Sequence, residues 1–449
     1  MIFPIRQQFS MPFEADFLAK SLQFAQQYEV FCLTDGNFPK FENYPQKPFQ
    51  TILAIGNYKQ DDKNIEFIED FEQLNLCNEW LFGFLSYDMK NQVENLTSNN
   101  PDHLGFPEMY FFVPQHLIFF EENQDKNIIR IYSFDNPQEI LAQINSQISN
   151  PSNNLKSQFQ NLNSKTLKIF TNFSKDYYIK SVEKIKQHII EGDVYELNFC
   201  MEFYVENIAI SPYQTYLDLK KVSPMPFATF FKLKNRYVMC ASPERFLKKT
   251  GQTLISQPIK GTIKRGKNSE EDEILKYNLR NSEKEIAENM MIVDLVRNDL
   301  AITAKTGSIK ANELFGIYTF PQVHQMISTV SSQLDEKFSA IDALKNAFPM
   351  GSMTGAPKIK AMELIELYEQ TKRSLFSGTI GYITPQKDFD FNVIIRSLFY
   401  HETNKYLTFQ AGSAITYDSI ASQEYEECLL KTKAIRDILA LKCEFDNRD

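Results

Sequence analysis

No CxxC pair occurs in this 449-residue chain, and its six cysteines, at positions 32, 77, 200, 240, 428 and 443, are scattered. That distribution excludes a zinc ribbon and gives no disulfide framework, so buried thiols of a reducing compartment are expected. The five histidines also lack ligand spacing. Positive charge is short: 48 Lys and Arg face 57 Asp and Glu, leaving a net charge of −9 and a pI near 5.4. A nucleic-acid or anionic-membrane surface is therefore not expected. No apolar run reaches transmembrane length. The opening Met1-Ile2-Phe3-Pro4-Ile5-Arg6 lacks the charged region, apolar region and cleavage site of a secretion signal. No glycine pattern is a Walker A or Rossmann fingerprint, which disfavours a phosphate or dinucleotide loop. A soluble cytoplasmic protein is the expectation.

What the chain does have is length, enough for two domains or one large α/β unit. Ala15 to Tyr28 carries a helical pattern through Phe17, Leu18, Leu22 and Phe24. Short apolar runs at 31–33, 51–55, 80–85, 109–113 and 116–120, bounded by Pro, Gly, Asn and Asp, read as strands. Residues 145–165 are rich in Asn, Ser and Gln and read as a linker or long exposed loop. The domain boundary is placed there, giving regions 1–165 and 166–445. Beyond it, Ser174 can cap a helix running to Glu191, with Gly192 where a left-handed residue is wanted. Strands follow near 192–199, 227–231 and 237–240.

Chemistry-bearing residues concentrate in this second region. Lys260 sits between Pro258 and Gly261 in an otherwise uncharged run, Ser256 to Thr262. Proline fixes φ and glycine permits close backbone approach. Such a lysine fits a surface hairpin, or a nucleophile whose ammonium pKa is lowered by burial or by a neighbouring cation. Glu244 follows a Ser-Pro turn and is either an ion-paired turn residue or an acid aimed into a cleft. Helices are predicted over 281–300 and 422–439. Each carries two carboxylates on one face at i, i+3: Glu285 and Glu288, then Glu424 and Glu427. These fit two solvated faces, or one oxygen-rich pocket for a hard divalent cation. Gly351 to Lys358 leads through Pro357 into a helix start, where free N–H groups favour an anion. Arg396 stands alone in an apolar stretch and could hold a carboxylate bidentately. Gly412 to Ala414 form a small-residue strand end that a ligand could approach.

Taken in order, these segments resemble the chorismate-utilising enzymes, whose members include anthranilate, aminodeoxychorismate, isochorismate and salicylate synthases. The matching segments are 192–199, 242–246, 258–262, 287–300, 351–358, 377–382, 390–397, 411–416 and 424–431. The resemblance spans roughly 170–440, with a looser match at 83–88. It implies an α/β (α+β) fold of two packed, mostly antiparallel sheets forming a sandwich, helices outside and the site in the cleft. Region 1–165 would be the N-terminal part of the anthranilate synthase component I type, and 166–445 the chorismate-binding catalytic domain. It implies Mg²⁺, with Glu288 and Glu427 as direct ligands and Glu285 and Glu424 holding metal-bound waters. Arg396 would bind the enolpyruvyl carboxylate. The backbone at Gly261-Thr262 and Gly412-Ser413-Ala414 would line the substrate, with Lys431 near the ring carboxylate.

Four positions sort the family's branches. Glu196 stands where hydrating members have a lysine base. Lys260 stands where anthranilate synthases usually have alanine, and resembles the covalent nucleophile of the aminodeoxychorismate branch. Asn289 after Glu288, and Thr354 before Gly-Ala-Pro-Lys, lean the same way. The resemblance therefore implies amination of chorismate at C4, with Glu244 as general acid and Lys260 as nucleophile. Ammonia would come from a separate glutamine amidotransferase subunit. Departures from the family pattern are Gln325 for a common histidine, Phe376 for a substrate-binding tyrosine, Ser413 and Ala414 for glycines, and Glu196 for a common glutamine. Anthranilate synthesis and a catalytically inactive binding homologue are the competing expectations.

Overall fold

In the computed structural model the described residues are 3–36, 44–60, 63–64, 70–122, 127–147 and 168–439. Two large antiparallel sheets dominate them, of twelve and nine strands, counting Gly355–Ala356 beside Glu196–Val205 in the larger and Lys310–Thr319 beside Val323–Gln333 in the smaller. The larger runs in spatial order through Gln7–Pro12, Asn127–Ser133, Pro114–Glu122, Thr51–Asn57, Val30–Asp35, Phe227–Leu233, Arg236–Ser242, Ser397–His401, Tyr406–Ile415, Glu196–Val205 and Phe170–Thr171. The smaller runs through Ile259–Lys264, Val323–Gln333, Thr253–Gln257, Arg245–Thr250, Phe389–Asn392, Thr379–Ile383, Leu81–Leu85 and Met109–Phe112. Strand pairing crosses residue 165 in both sheets: Cys32 faces Phe231 in one, and Gly83 faces Gly381 in the other. The linker predicted at 145–165 lies, from residue 148 onward, outside the described residues.

The period-2 pattern explains why the sheets stack. In Phe227–Leu233, Phe231 and Leu233 face the second sheet, while Phe230 faces the outer helices. Ile52 and Ala54 likewise point one way, and Leu53 and Ile55 the other. Strands buried on both faces need a layer on each side, and the helices supply the outer one. Helix Lys175–Glu191 lays Tyr178, Val182 and Ile185 on the larger sheet. Its Ser174 hydroxyl accepts from the Tyr177 N–H, and Gly192 closes it at φ 85°. Helix Glu283–Ala301 packs Ile292, Val293 and Val296 against the smaller sheet. The sandwich with helices outside is therefore the observed architecture. Cys32, Cys77, Cys200, Cys240 and Cys428 are free and buried. Among the described residues no helix is long and apolar enough to cross a membrane.

One predicted element differs. The single helix expected over 422–439 is two helices, Ala421–Lys431 and Lys433–Ile438. The Thr432 hydroxyl donates to the Leu429 carbonyl, and the Arg436 guanidinium takes the same oxygen. Side-chain donors on one carbonyl compete with the backbone ladder and break it there.

Candidate active site

The site is built where the edge of the smaller sheet meets the larger one. Strand Ile259–Lys264 pairs with Val323–Gln333, but Ile259 faces Ile327 and Thr262 faces Gln325. Lys260 and Gly261 thus form a bulge, which re-aims a side chain out of the ladder. Gly261 takes φ 93°, and a Cβ there would lie 3.0 Å from Glu285 Oε2. Only glycine suits both the backbone and the close carboxylate.

The Lys260 side chain is nearly buried, with Nζ 3.7 Å from Glu196 Oε1 on the facing sheet. Burial draws its pKa down, as the sequence reading expects. Glu196, Glu288, Glu427 and Glu244 outweigh that burial, and the net shift is upward. The expectation of a lowered pKa is thus reversed: Lys260 rests as an ammonium ringed by carboxylates.

Glu244 settles its two readings in favour of the buried acid. It is 4% exposed, and its backbone N–H donates to Ser242 Oγ at 3.2 Å. Burial pushes its carboxyl up to about 7, against the pull of Ser352, Lys260 and the backbone at Ile259. The Ser352 hydroxyl faces it without closing a hydrogen bond of good geometry. A carboxylic acid that keeps its proton near neutrality can serve as a general acid.

The two Glu-x-x-Glu faces look into the same space. Ser282 caps the first helix, accepting from the Glu285 N–H. Burial, together with the like charge of their neighbours, raises the pKa of both Glu285 and Glu288. Burial raises Glu427 too, but Lys431, Lys260 and Lys284 outweigh it and hold it below its ordinary value. Glu424 is buried. Lys284 reaches Glu288 at 3.7 Å, and Lys431 bridges Glu427 at 2.6 Å and the Gly412 carbonyl at 2.8 Å. Among the described residues, the group whose ligand atoms close within 4.8 Å is His188, Glu191 and Asp193 instead. Both ring nitrogens of that histidine are already engaged, by Asp193 and Tyr368. Glu285, Glu288, Glu424 and Glu427 still fit Mg²⁺ by donor chemistry: they offer oxygen alone, and their mutual repulsion is what a hard cation relieves.

The remaining predicted residues divide. Arg396 adopts a left-handed backbone at φ 54°, and among the described residues its guanidinium makes no hydrogen bond. Burial lowers its pKa against the pull of Glu427, so it faces the carboxylate space. A strained backbone with an uncommitted cation suits an anionic ligand. Gln325 is buried with Oε1 unpartnered, as are Glu196 Oε2 and Ser352 Oγ. Buried orphans call for a partner from outside the chain. Gly412 cannot carry a side chain, since a Cβ would meet Cys200 Sγ at 2.4 Å and Asn198 Oδ1 at 2.6 Å. Ala414 is half-buried at the strand end, and Thr262 is exposed. Three further residues have side chains engaged within the fold. The Ser413 hydroxyl pairs with Tyr178 on the helix side, and Thr354 donates to Met350 and Gly351 carbonyls. Phe376 sits in the core between the sheets. The structure adds Ser352 beside Glu244, which only its place within a matching segment marked in the sequence. It also gives Asn289, a branch-sorting position, a contact: its Nδ2 reaches the Lys260 carbonyl at 3.2 Å.

The fold thus brings a buried acid, a lysine and a carboxylate cluster to one cleft between two sheets. The chain belongs to the family of chorismate binding enzymes, which matches residues 29–437. It is 33% identical to aminodeoxychorismate synthase component 1 of Bacillus subtilis, over 81% of this chain and 77% of that one. It is 30% identical to anthranilate synthase component 1 of Acetivibrio thermocellus, over 93% and 89%. The crystal structure of anthranilate synthase component I from Streptococcus pneumoniae superposes with a TM-score of 0.71 at 26% identity, covering 96% of this chain and 92% of that one. The protein is a chorismate-utilising enzyme.

Proposed function

We propose that the enzyme aminates chorismate at C4, giving 4-amino-4-deoxychorismate with its enolpyruvyl side chain retained, for p-aminobenzoate and folate synthesis. The observation that carries this reading is Lys260 on its bulge, held against Glu196 and sharing its surroundings with a Glu244 that stays protonated near neutrality.

Hydroxide is a poor leaving group, so Glu244 gives its proton to the C4 oxygen as that bond breaks, and water departs. Lys260, as the free amine, bonds to C2 while the ring double bonds shift toward C4. Ammonia then bonds to C4, the double bonds shift back, and the C2–N bond to Lys260 breaks. Glu244 recovers a proton from the nitrogen that has added. Arg396 holds a substrate carboxylate, and the backbone at Gly412 and Gly261 leaves room for the ring. Mg²⁺ held by Glu288 and Glu427, with Glu285 and Glu424 behind them, would anchor and neutralise the ring carboxylate. Ammonia would be delivered by a separate glutamine amidotransferase subunit.

The test is intact-mass analysis of the protein quenched during turnover with chorismate, Mg²⁺ and ammonium. An adduct mapped to Lys260 supports the reading. A second reading, anthranilate formation, is favoured by the 30% identity to an anthranilate synthase over nearly the whole chain. Fluorescent anthranilate as the direct product would establish it instead.

A further inference from the structure

We infer that Asn289 is the positioning residue that aims Lys260, an inference that rests on the covalent role proposed above. The bulge sets two residues, Lys260 and Gly261, against one, Met326, and so interrupts the ladder at Lys260. A buried carbonyl without a partner is costly, and something must donate to it. Asn289 does so: its Nδ2 lies 3.2 Å from Lys260 O and 3.4 Å from Met326 O. One amide thus ties both strands at the bulge.

The amide is itself fixed. Ser328 Oγ donates to Asn289 Oδ1 at 2.6 Å, and the Phe315 N–H donates to Ser328 Oγ at 3.1 Å. Asn289 is 1% exposed, so water cannot replace these bonds. Its neighbour in the chain is Glu288, on the helix that also carries Glu285. The backbone of the nucleophile and the first carboxylate face are therefore clamped into one body. A lysine side chain has four rotatable bonds, and its reach is set by where its Cα–Cβ bond points. Without the clamp, the bulge can relax toward flat pairing and swing the amine away from C2. Misplacement by about 1 Å can cost on the order of 100-fold in rate.

Asn289→Asp tests this in the full chain, since it keeps size and the acceptor for Ser328 but removes the N–H that holds Lys260 O. Rapid-quench intact-mass measurement with chorismate, Mg²⁺ and ammonium follows the adduct on Lys260. The expected result is adduct formation slowed by about 10- to 100-fold, with KM for chorismate changed less than about twofold. Ser328→Ala, which frees the amide to turn, should give a smaller loss in the same direction. A merely structural role would lower the amplitude, by lowering the folded fraction, and leave the rate in that fraction alone. A wild-type adduct rate in folded Asn289→Asp and Ser328→Ala overturns the positioning role alone. Absence of adduct from the wild type overturns the covalent role, and the positioning role falls with it.

Discussion

Lys260 Nζ stands 3.7 Å from Glu196 Oε1, and that contact spans the cleft from the smaller sheet to the larger. The pair holds the amine in place, yet it also opposes attack. Burial pulls the ammonium pKa down, and Glu196 heads the carboxylates that pull it up further. Attack needs the free amine, so activity should rise with pH along a limb set by Lys260. Glu196→Gln removes the first of these carboxylates while keeping shape. That limb should move to lower pH in the variant. A pH profile of kcat/KM for chorismate checks it. An unmoved limb would mean that Lys260 does not govern the profile.

Glu244 shapes the same profile. Its carboxyl, pushed by burial up to about 7, must be protonated to release water, so the rise of kcat/KM with pH should level off as pH passes 7. Glu244→Gln should lose about 10²- to 10⁴-fold in activity and lose that levelling with it. The effect of that substitution on stability has the opposite sign to its effect on activity. The folded state holds this proton between the ordinary carboxyl pKa of about 4.5 and about 7, so folding stability falls as pH rises through that window. The variant should therefore be more stable than wild type at pH 8, by about 3 kcal/mol, and no more stable at pH 4. Denaturant titrations at the two pH values measure it.

Much of this was legible in the sequence, for physical reasons. Ser174 and Gly192 bracket a helix because local groups alone satisfy its ends, and the structure keeps both caps. Alternating strands predicted the layers, because burial follows the pleat. The glutamates at i, i+3 share a face whatever the tertiary fold. What stayed hidden depends on partners distant in the chain. The bulge at Lys260 exists only relative to Gln325 and Ile327, and Glu196 becomes its counter-ion only when the sheets stack. The upward Lys260 shift likewise depends on Glu196, Glu288, Glu427 and Glu244, which only the folded chain brings close enough to outweigh burial. The Thr354 and Ser413 hydroxyls are taken up by Met350, Gly351 and Tyr178, partners that a linear pattern does not show.

The carboxylate faces give a metal prediction. Glu285 and Glu288 are raised by burial and by like charge, so each loses part of its strain when a cation arrives. A chelator should abolish turnover, and excess Mg²⁺ should restore it. Glu288→Gln should raise the Mg²⁺ concentration for half-maximal activity by about 10- to 100-fold. The variant should also melt at or above the wild-type temperature in the absence of metal, because one repelling charge is gone. Calorimetry without metal and a Mg²⁺ activity titration read the two effects separately.

Gly261 joins all of these groups, and its replacement carries the last prediction. At φ 93° an L side chain is strained, and a Cβ would press Glu285 Oε2 at 3.0 Å and Leu279 Cδ1 and Met326 Cβ at 3.3 Å. The far end of a glutamate can give way, so folding should survive Gly261→Ala with a loss of about 1–3 kcal/mol. The movement, however, displaces a carboxylate of the proposed metal face and flattens the bulge beside Lys260. Activity should therefore fall much further than the folded fraction does, by about 100-fold, with a higher Mg²⁺ requirement. A thermal melt paired with kcat at saturating Mg²⁺ decides it. Equal losses in folded fraction and in rate would mean that Gly261 serves the fold alone and that the bulge does not aim Lys260.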